Sequence, residues 1–270
     1  MSQVAGISGR RRSELARVLS STQHFVTPDD VVRTLELDPD TAAKRLARWA
    51  RDGWLRRVRR GLYIAVPIDV TSPSTWTDDA LVVANEVWAP CYFSGWTSAN
   101  YWGLSEQVFR STVVRTTARV RQSPTTLLGH DYLISHVGEE LLTWGLSTEW
   151  RGATRLLFAD PARTIVEVLD SPIIGGGIRN ATEILSAYLD QYDPQVLIEF
   201  GDRLDNRAVF KRLGYLIEVT NHNLPDVLAA CHERISTGVS ALDPSAPSTG
   251  RRVMKWGLQI NVHVGPEDPS

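Results

Sequence analysis

Two segments eleven residues apart, Thr27-Pro28-Asp29-Asp30 and Asp38-Pro39-Asp40, each have the composition of a helix start. In each, a small oxygen-bearing side chain can accept from the first free amides. Proline then occupies a position where no amide donor is needed, and acids lie beside the positive end of the helix dipole. The helix opened by Thr27 can therefore run only to about Leu35. Glu36-Leu37-Asp38 leaves room for no more than a tight turn before another helix. Upstream, Leu15, Val18 and Leu19 recur at helical spacing within Ser13 to Ser21. Gly53 ends the third helix, and residues 54–64 (WLRRVRRGLYI) read as two short strands about a basic turn. The pattern predicts a winged helix-turn-helix over residues 1–66.

On a helical wheel, Thr41 to Arg51 separates into two faces. Ala42, Ala43, Leu46, Trp49 and Ala50 fall on one side, with Thr41, Lys44, Arg45, Arg48 and Arg51 opposite. Charge follows the same division of the chain. Residues 1–66 carry thirteen Arg or Lys against seven Asp or Glu, whereas residues 67–270 carry sixteen against twenty-four. The net of +6 beside −8 is hidden in a whole-chain value of −2. Eight cations and a single acid, Asp52, lie between positions 41 and 60. Such a density suits a polyanion. The expectation is a recognition helix over 39–51 entering the major groove of double-stranded DNA, with Thr41, Lys44, Arg45, Arg48 and Arg51 facing it. The wing arginines Arg56, Arg57, Arg59 and Arg60 would meet phosphates or the adjacent minor groove. Arg10-Arg11-Arg12, ahead of the first helix, reads as a basic arm or tail.

Residues 67–76 are rich in Pro, Ser and Thr and read as a linker. From residue 77 onward helical and strand patterns mix, which predicts an α+β domain over 77–270. Helices are expected near 77–88, 98–102, 160–169, 182–188 and 193–216, and strands near 109–120 and 253–264. Arg110, Arg115, Arg119 and Arg121 stand together without an acid. They read either as charges blunting an edge strand or as a secondary basic surface.

No apolar stretch approaches the roughly 20 residues needed to cross a bilayer, and no apolar segment follows the basic N-terminus. The expected compartment is the cytoplasm. Cys91 and Cys231 are too few for a disulfide framework and read as buried thiols. Cys231-His232, with His222 nearby, lacks a fourth ligand at metal spacing, so neither metal nor cofactor is expected. Gly175-Gly176-Gly177 lacks a phosphate-loop pattern. In Gly95-Trp96-Thr97-Ser98-Ala99 the serine is one position late for a nucleophile elbow. Asp202, Asp205 and Glu218 are spaced acids, but no lysine lies near Glu218 in an E-x-K arrangement, and they read as exposed helix charges. No catalytic residue is assigned.

Several segments resemble the AbiEi-type antitoxins of type IV toxin-antitoxin systems. Val58-Arg59-Arg60-Gly61-Leu62-Tyr63 is similar to the family's wing exit, and residues 95–104 (GWTSANYWGL) to its small-residue and aromatic segment. Asp160 to Leu169 and residues 206–218 (NRAVFKRLGYLIE) are similar to its later helices. The resemblance implies a repressor that binds repeated operator sites of its own operon and counteracts a nucleotidyltransferase-like toxin. Two other readings stay open from the residues: an orphan regulator without a toxin, and a DNA-targeted enzyme acting through the C-terminal half.

Overall fold

The computed structural model describes residues 9–22, 25–66 and 79–265; the linker expected over 67–76 lies outside them. The Cα positions group into two units, Met1–Glu86 with Thr126–His130, and Val87–Thr125 with Asp131–Ser270.

The first unit opens with α1 (Gly9–Ser20), β1 (Phe25–Val26), α2 (Pro28–Leu35) and α3 (Pro39–Arg51), followed by β2 (Leu55–Arg59) and β3 (Leu62–Ala65). Both helix starts are capped as the sequence predicts. The Thr27 backbone amide donates to Asp30 Oδ2 at 2.9 Å while the Asp30 amide donates back to Thr27 Oγ1 at 3.3 Å, a reciprocal box. Asp38 Oδ1 accepts from the Thr41 amide at 2.9 Å. Hydrogen bonding from the Thr41 side chain, and then from its amide, holds the Asp38 carboxyl below its ordinary pKa. Between the helices, Glu36 takes a left-handed conformation with φ 55°, turning the chain within three residues.

The strands assemble in the order β1-β3-β2, all antiparallel. Leu15, Val18, Val31, Ala42, Leu46, Trp49, Leu55 and Tyr63 fill the core beneath them. Burying each of the large side chains contributes about 1.5–3 kcal/mol. Element order and strand order are those of a winged helix-turn-helix. In one respect the sequence reading needs correction: Arg10, Arg11 and Arg12 lie in the first turn of α1, so they are helical rather than an arm ahead of the helix.

The larger unit is α+β. Along the chain the elements continue with α4 (Ala80–Trp88), which falls mostly in the first unit, β4 (Cys91–Phe93), α5 (Gly95–Tyr101), β5 (Ser111–Thr116), β6 (Thr125–Leu127), also mostly of the first unit, β7 (His130–His136), β8 (Leu146–Arg151) and β9 (Thr154–Ala159). A run of helices follows: α6 (Pro161–Asp170), α7 (Ile178–Leu189), α8 (Val196–Leu204), α9 (Arg207–Val219) and α10 (Pro225–Arg234). The last strands are β10 (Ser240–Ala241), β11 (Arg251–Val253) and β12 (Leu258–Ile260). Six strands form one mixed sheet in the order β6-β7-β5-β4-β9-β8, and β10-β12-β11 form a small second sheet. β5 pairs with β4 on one side and β7 on the other, which overturns the edge-strand reading, one of the two offered for its arginines. The edges belong to β6 and β8.

Helix α6 is buried along nearly its whole length, because α5, α7, α8 and α9 all pack against it. Its free C-terminal carbonyls need donors, and Arg212 of α9 supplies them. The guanidinium donates to Leu169 O at 2.6 Å and Asp170 O at 3.2 Å, and also to the carbonyls of Ala241 and Leu242 at 3.0 Å each. A single arginine thereby ties helix, helix and small sheet together. The glycine run near 175–177 leads into α7, whose first amide, that of Ile178, donates to Asp243 Oδ2 at 2.9 Å. An internal carboxylate occupies the place where a phosphate cradle would hold its ligand.

Candidate nucleic-acid interface

Helix α3 carries the residues expected to face a duplex, and its packing divides them. Ala42, Leu46 and Trp49 are fully buried, with Trp49 only 1% exposed. Ala43, Lys44, Ala47, Arg48 and Arg51 are exposed, whereas Thr41 and Arg45 sit half-buried on the shoulder between the two faces. The wheel drawn from polarity needs correction at Ala43, which the structure turns outward. Alanine is too small and too neutral for its polarity to fix a side. The exposed face instead alternates cations with methyl groups.

Arg45 is engaged elsewhere: its guanidinium pairs with Glu14 of α1, and Arg10 reaches the same carboxylate at 3.4 Å. Arg48 lies 3.9 Å from Asp52, one turn on. Neither Lys44 nor Arg51 has an ion-pair partner among the described residues. Along the wing, β2 pairs with β3 from Leu55↔Ala65 to Arg59↔Leu62, with an irregularity between Arg57 and Arg59. Val58 is thereby turned into the core, and Arg57, Arg59 and Arg60 are exposed. Arg57 Nε donates to Arg59 O at 3.3 Å, within the wing itself. Arg56 is half-buried. Gly61, at φ 78°, closes the hairpin in a conformation that side chains resist. Here basic side chains stand on a rigid helix and a tight hairpin of one unit, an arrangement suited to phosphate and groove contacts.

The secondary basic surface does not include Arg115. It is buried at 7% exposure in the middle of the sheet, 3.9 Å from the Glu167 carboxylate. Arg110, Arg119 and Arg121 are exposed. Sequence reasoning missed the cluster around Glu167 altogether. Its carboxylate accepts from Tyr92 Oη at 2.7 Å, from Arg163 Nε at 3.0 Å and from Ser94 Oγ. Arg163, itself fully buried, donates to Tyr92 Oη at 2.7 Å and to the Trp144 carbonyl, and stacks over both rings at 4.5 and 4.3 Å. Burial pushes the Glu167 carboxyl up, but Arg115, Arg163, Ser94 and Tyr92 outweigh it and leave it below the ordinary glutamate value. The one available signal was the pairing of Arg163 with Glu167 at helical i,i+4 spacing.

The remaining candidates for chemistry are also placed. Ser98 is buried and donates to Phe93 O at 2.7 Å. Asp202 pairs with Arg207 at 3.0 Å and Arg234 at 2.8 Å, Asp205 lies 3.9 Å from Arg207, and Glu218 accepts from Trp256 Nε1 at 2.7 Å and from Lys255. His232 stacks on Trp256, and Cys231 is buried beside it in the chain. Among the described residues, no group of three or more His, Cys, Asp or Glu is placed to hold a metal ion. No helix among them is long and apolar enough to cross a membrane.

No curated protein matches this chain. Among solved structures, it is similar to the crystal structure of the RV2827C protein from Mycobacterium tuberculosis. The TM-score is 0.68 at 15% identity, over 95% of this chain and 93% of that one, a likeness of fold. Residues 13–66, which span the helix-turn-helix and the hairpin, match the family of transcriptional regulators described as AbiEi antitoxins.

Proposed function

We propose that this chain is a DNA-binding transcriptional regulator of the antitoxin type, reading duplex DNA with α3 and gripping it with the wing. The observation that carries the reading is the exposed face of α3, where Lys44, Arg48 and Arg51 alternate with the methyl groups of Ala43 and Ala47. Cations of that reach fit the acceptor edge of guanine, and small apolar groups fit the thymine methyl. Thr41 borders this face. Arg57, Arg59 and Arg60 would lie on phosphates or in the adjacent minor groove, with Arg56 at the base of the wing. The family match over residues 13–66 supports the regulator reading.

From the resemblance, the proposed target is a repeated operator site in the chain's own operon. The proposed partner is a nucleotidyltransferase-like toxin, countered in the cytoplasm without catalysis by the α+β part, 77–270. Fluorescence anisotropy with a promoter fragment tests the DNA step. Lys44→Ala and Arg48→Ala are expected to cost about 1–3 kcal/mol each on the specific site, and Arg57→Ala to lower the salt dependence by about one phosphate contact. Affinity unchanged by all three overturns the interface. Co-expression of the full-length Lys44→Ala/Arg48→Ala variant with the adjacent gene product separates the two roles, since repression is expected to fail while neutralisation persists.

A further inference from the structure

The exposed stripe of α3 contains a residue of the opposite sign. At about 100° per residue, Asp40 falls between Ala47 and Arg51, in the middle of a stripe bordered by Ala43 and Arg48. Lys44 follows it one turn on. Asp40 is exposed, and its carboxylate carries no hydrogen bond or ion pair among the described residues. Nor is it needed to cap the helix, because Asp38 already accepts from the Thr41 amide at 2.9 Å. The first turn of a recognition helix is the part that reaches base edges. A carboxylate brought there enters the field of the phosphates, which lowers affinity unless a donor on a base answers it.

We infer that Asp40 fixes a cytosine in the sequence that α3 reads, an inference that rests on the proposed groove contact and deepens it. Only two bases offer a donor in the major groove, cytosine through its N4 amino group and adenine through N6. On adenine the amino group stands beside the N7 acceptor, whose lone pair repels the second carboxylate oxygen. On cytosine the neighbouring position is C5–H, so the carboxylate accepts from N4 without that repulsion. The guanine edge presents acceptors, and thymine an acceptor beside a methyl group, so neither answers a negative charge. Lys44, one turn further along the same stripe, has the reach for O6 and N7 of a guanine paired with that cytosine or next to it. Asp40 therefore acts by specificity: it weakens binding to duplexes with another base at that position, a selection that the surrounding cations alone do not supply. Complementing the helix dipole, by contrast, asks only for an acid in the first turn and is indifferent to the base sequence.

Selection from a randomised duplex library tests the assignment, with the full chain, Asp40→Ala, Asp40→Asn and, as a control for the groove contact, Arg48→Ala. Single-base variants of the selected duplex are then titrated by fluorescence anisotropy. The unaltered chain is expected to retain a motif with a cytosine at one position, and replacing that C·G pair to weaken binding about tenfold or more. In Asp40→Ala that position alone is expected to accept all four bases to within about twofold, the other positions keeping their preferences. Asp40→Asn is expected to move the preference there to adenine, whose N6 and N7 suit an amide, a gain that a misfolded chain would not give. An Asp40→Ala motif identical to that of the unaltered chain, while Arg48→Ala changes it, overturns the inference and leaves the DNA reading standing. A uniform rise in affinity for every sequence does the same, since Asp40 would then only repel phosphates, as does a relaxed position that had held a base other than cytosine. Retention of no duplex by the unaltered chain overturns the inference and the DNA reading together.

Discussion

Glu14 of α1 and Arg45 of α3 are joined by an ion pair in which neither side chain is more than about a quarter exposed, at 18% and 26%. Arg45 is thereby held on the shoulder of α3, against the first helix, while Lys44 and Arg48 remain on the exposed face. Two arginines that look equivalent on a helical wheel have different surroundings.

That difference predicts a division of effects. Arg45→Ala is expected to destabilise the first unit by about 1 kcal/mol, in line with a partly exposed pair, with the same loss in Glu14→Ala and little further loss in the double variant. Lys44→Ala is expected to leave the melting temperature within about 1 °C and to act on DNA affinity alone. Thermal melts beside anisotropy titrations check both, and a large affinity loss at Arg45 with an unchanged melt would place Arg45 among the base-reading residues.

Glu167 is expected to respond far more strongly. Glu167→Gln preserves the shape but leaves Arg115 and Arg163 buried without their counter-charge, at a cost of about 3–5 kcal/mol in urea denaturation. Because the folded carboxyl sits below its unfolded value, its contribution is fully present above the unfolded pKa and is lost as pH falls through the folded one. Urea midpoints should therefore drop at acidic pH below the ordinary glutamate range, and Glu167→Gln should flatten that drop. An equal acid sensitivity in the variant would show that other carboxylates control it.

The two cysteines supply a measure of core integrity. Burial pushes the thiols of Cys91 and Cys231 up to about 12. Deprotonation at neutral pH is then rare, and the nucleophilic thiolate is further shielded by packing. Ellman's reagent is expected to react slowly with both in the native chain and promptly with both in 6 M guanidinium. Rapid reaction of either thiol in the native protein would mean that its region opens locally.

Gly61 is expected to set the shape of the wing. Its φ of 78° makes Gly61→Val strained even though a Cβ there would meet no neighbouring atom. A cost of about 1–2 kcal/mol is expected, from backbone conformation rather than packing. The same variant should loosen the hairpin and reduce the salt slope of DNA binding, as removal of Arg59 or Arg60 would. Circular dichroism melts together with titrations at two salt concentrations check it.

Much of the first unit was legible because its signals are local. A threonine or aspartate before a proline caps a helix wherever it falls, the three residues between α2 and α3 allow only a tight turn, and glycine at 61 marks the hairpin. The larger unit was legible only in parts. Asp160-Pro161 announced α6 and the cysteines were rightly read as buried. The placement of β5 at the centre of the sheet depends on its pairing with β4 and β7, separated from it by loops and turns. Arg115 looked like surface charge because its counter-ion, Glu167, is 52 positions away.

The sequence by itself determined the helix starts, the turn, the wing and the concentration of positive charge between residues 41 and 60, since each depends on neighbours within a few residues of the chain. Only the tertiary structure decided which of those cations stay exposed, that Ala43 and Ala47 join them, and that Arg115, Arg163 and Arg212 are interior. A charged side chain's position is set by whether a distant carboxylate or carbonyl offsets its desolvation, and no local pattern records where that partner will be.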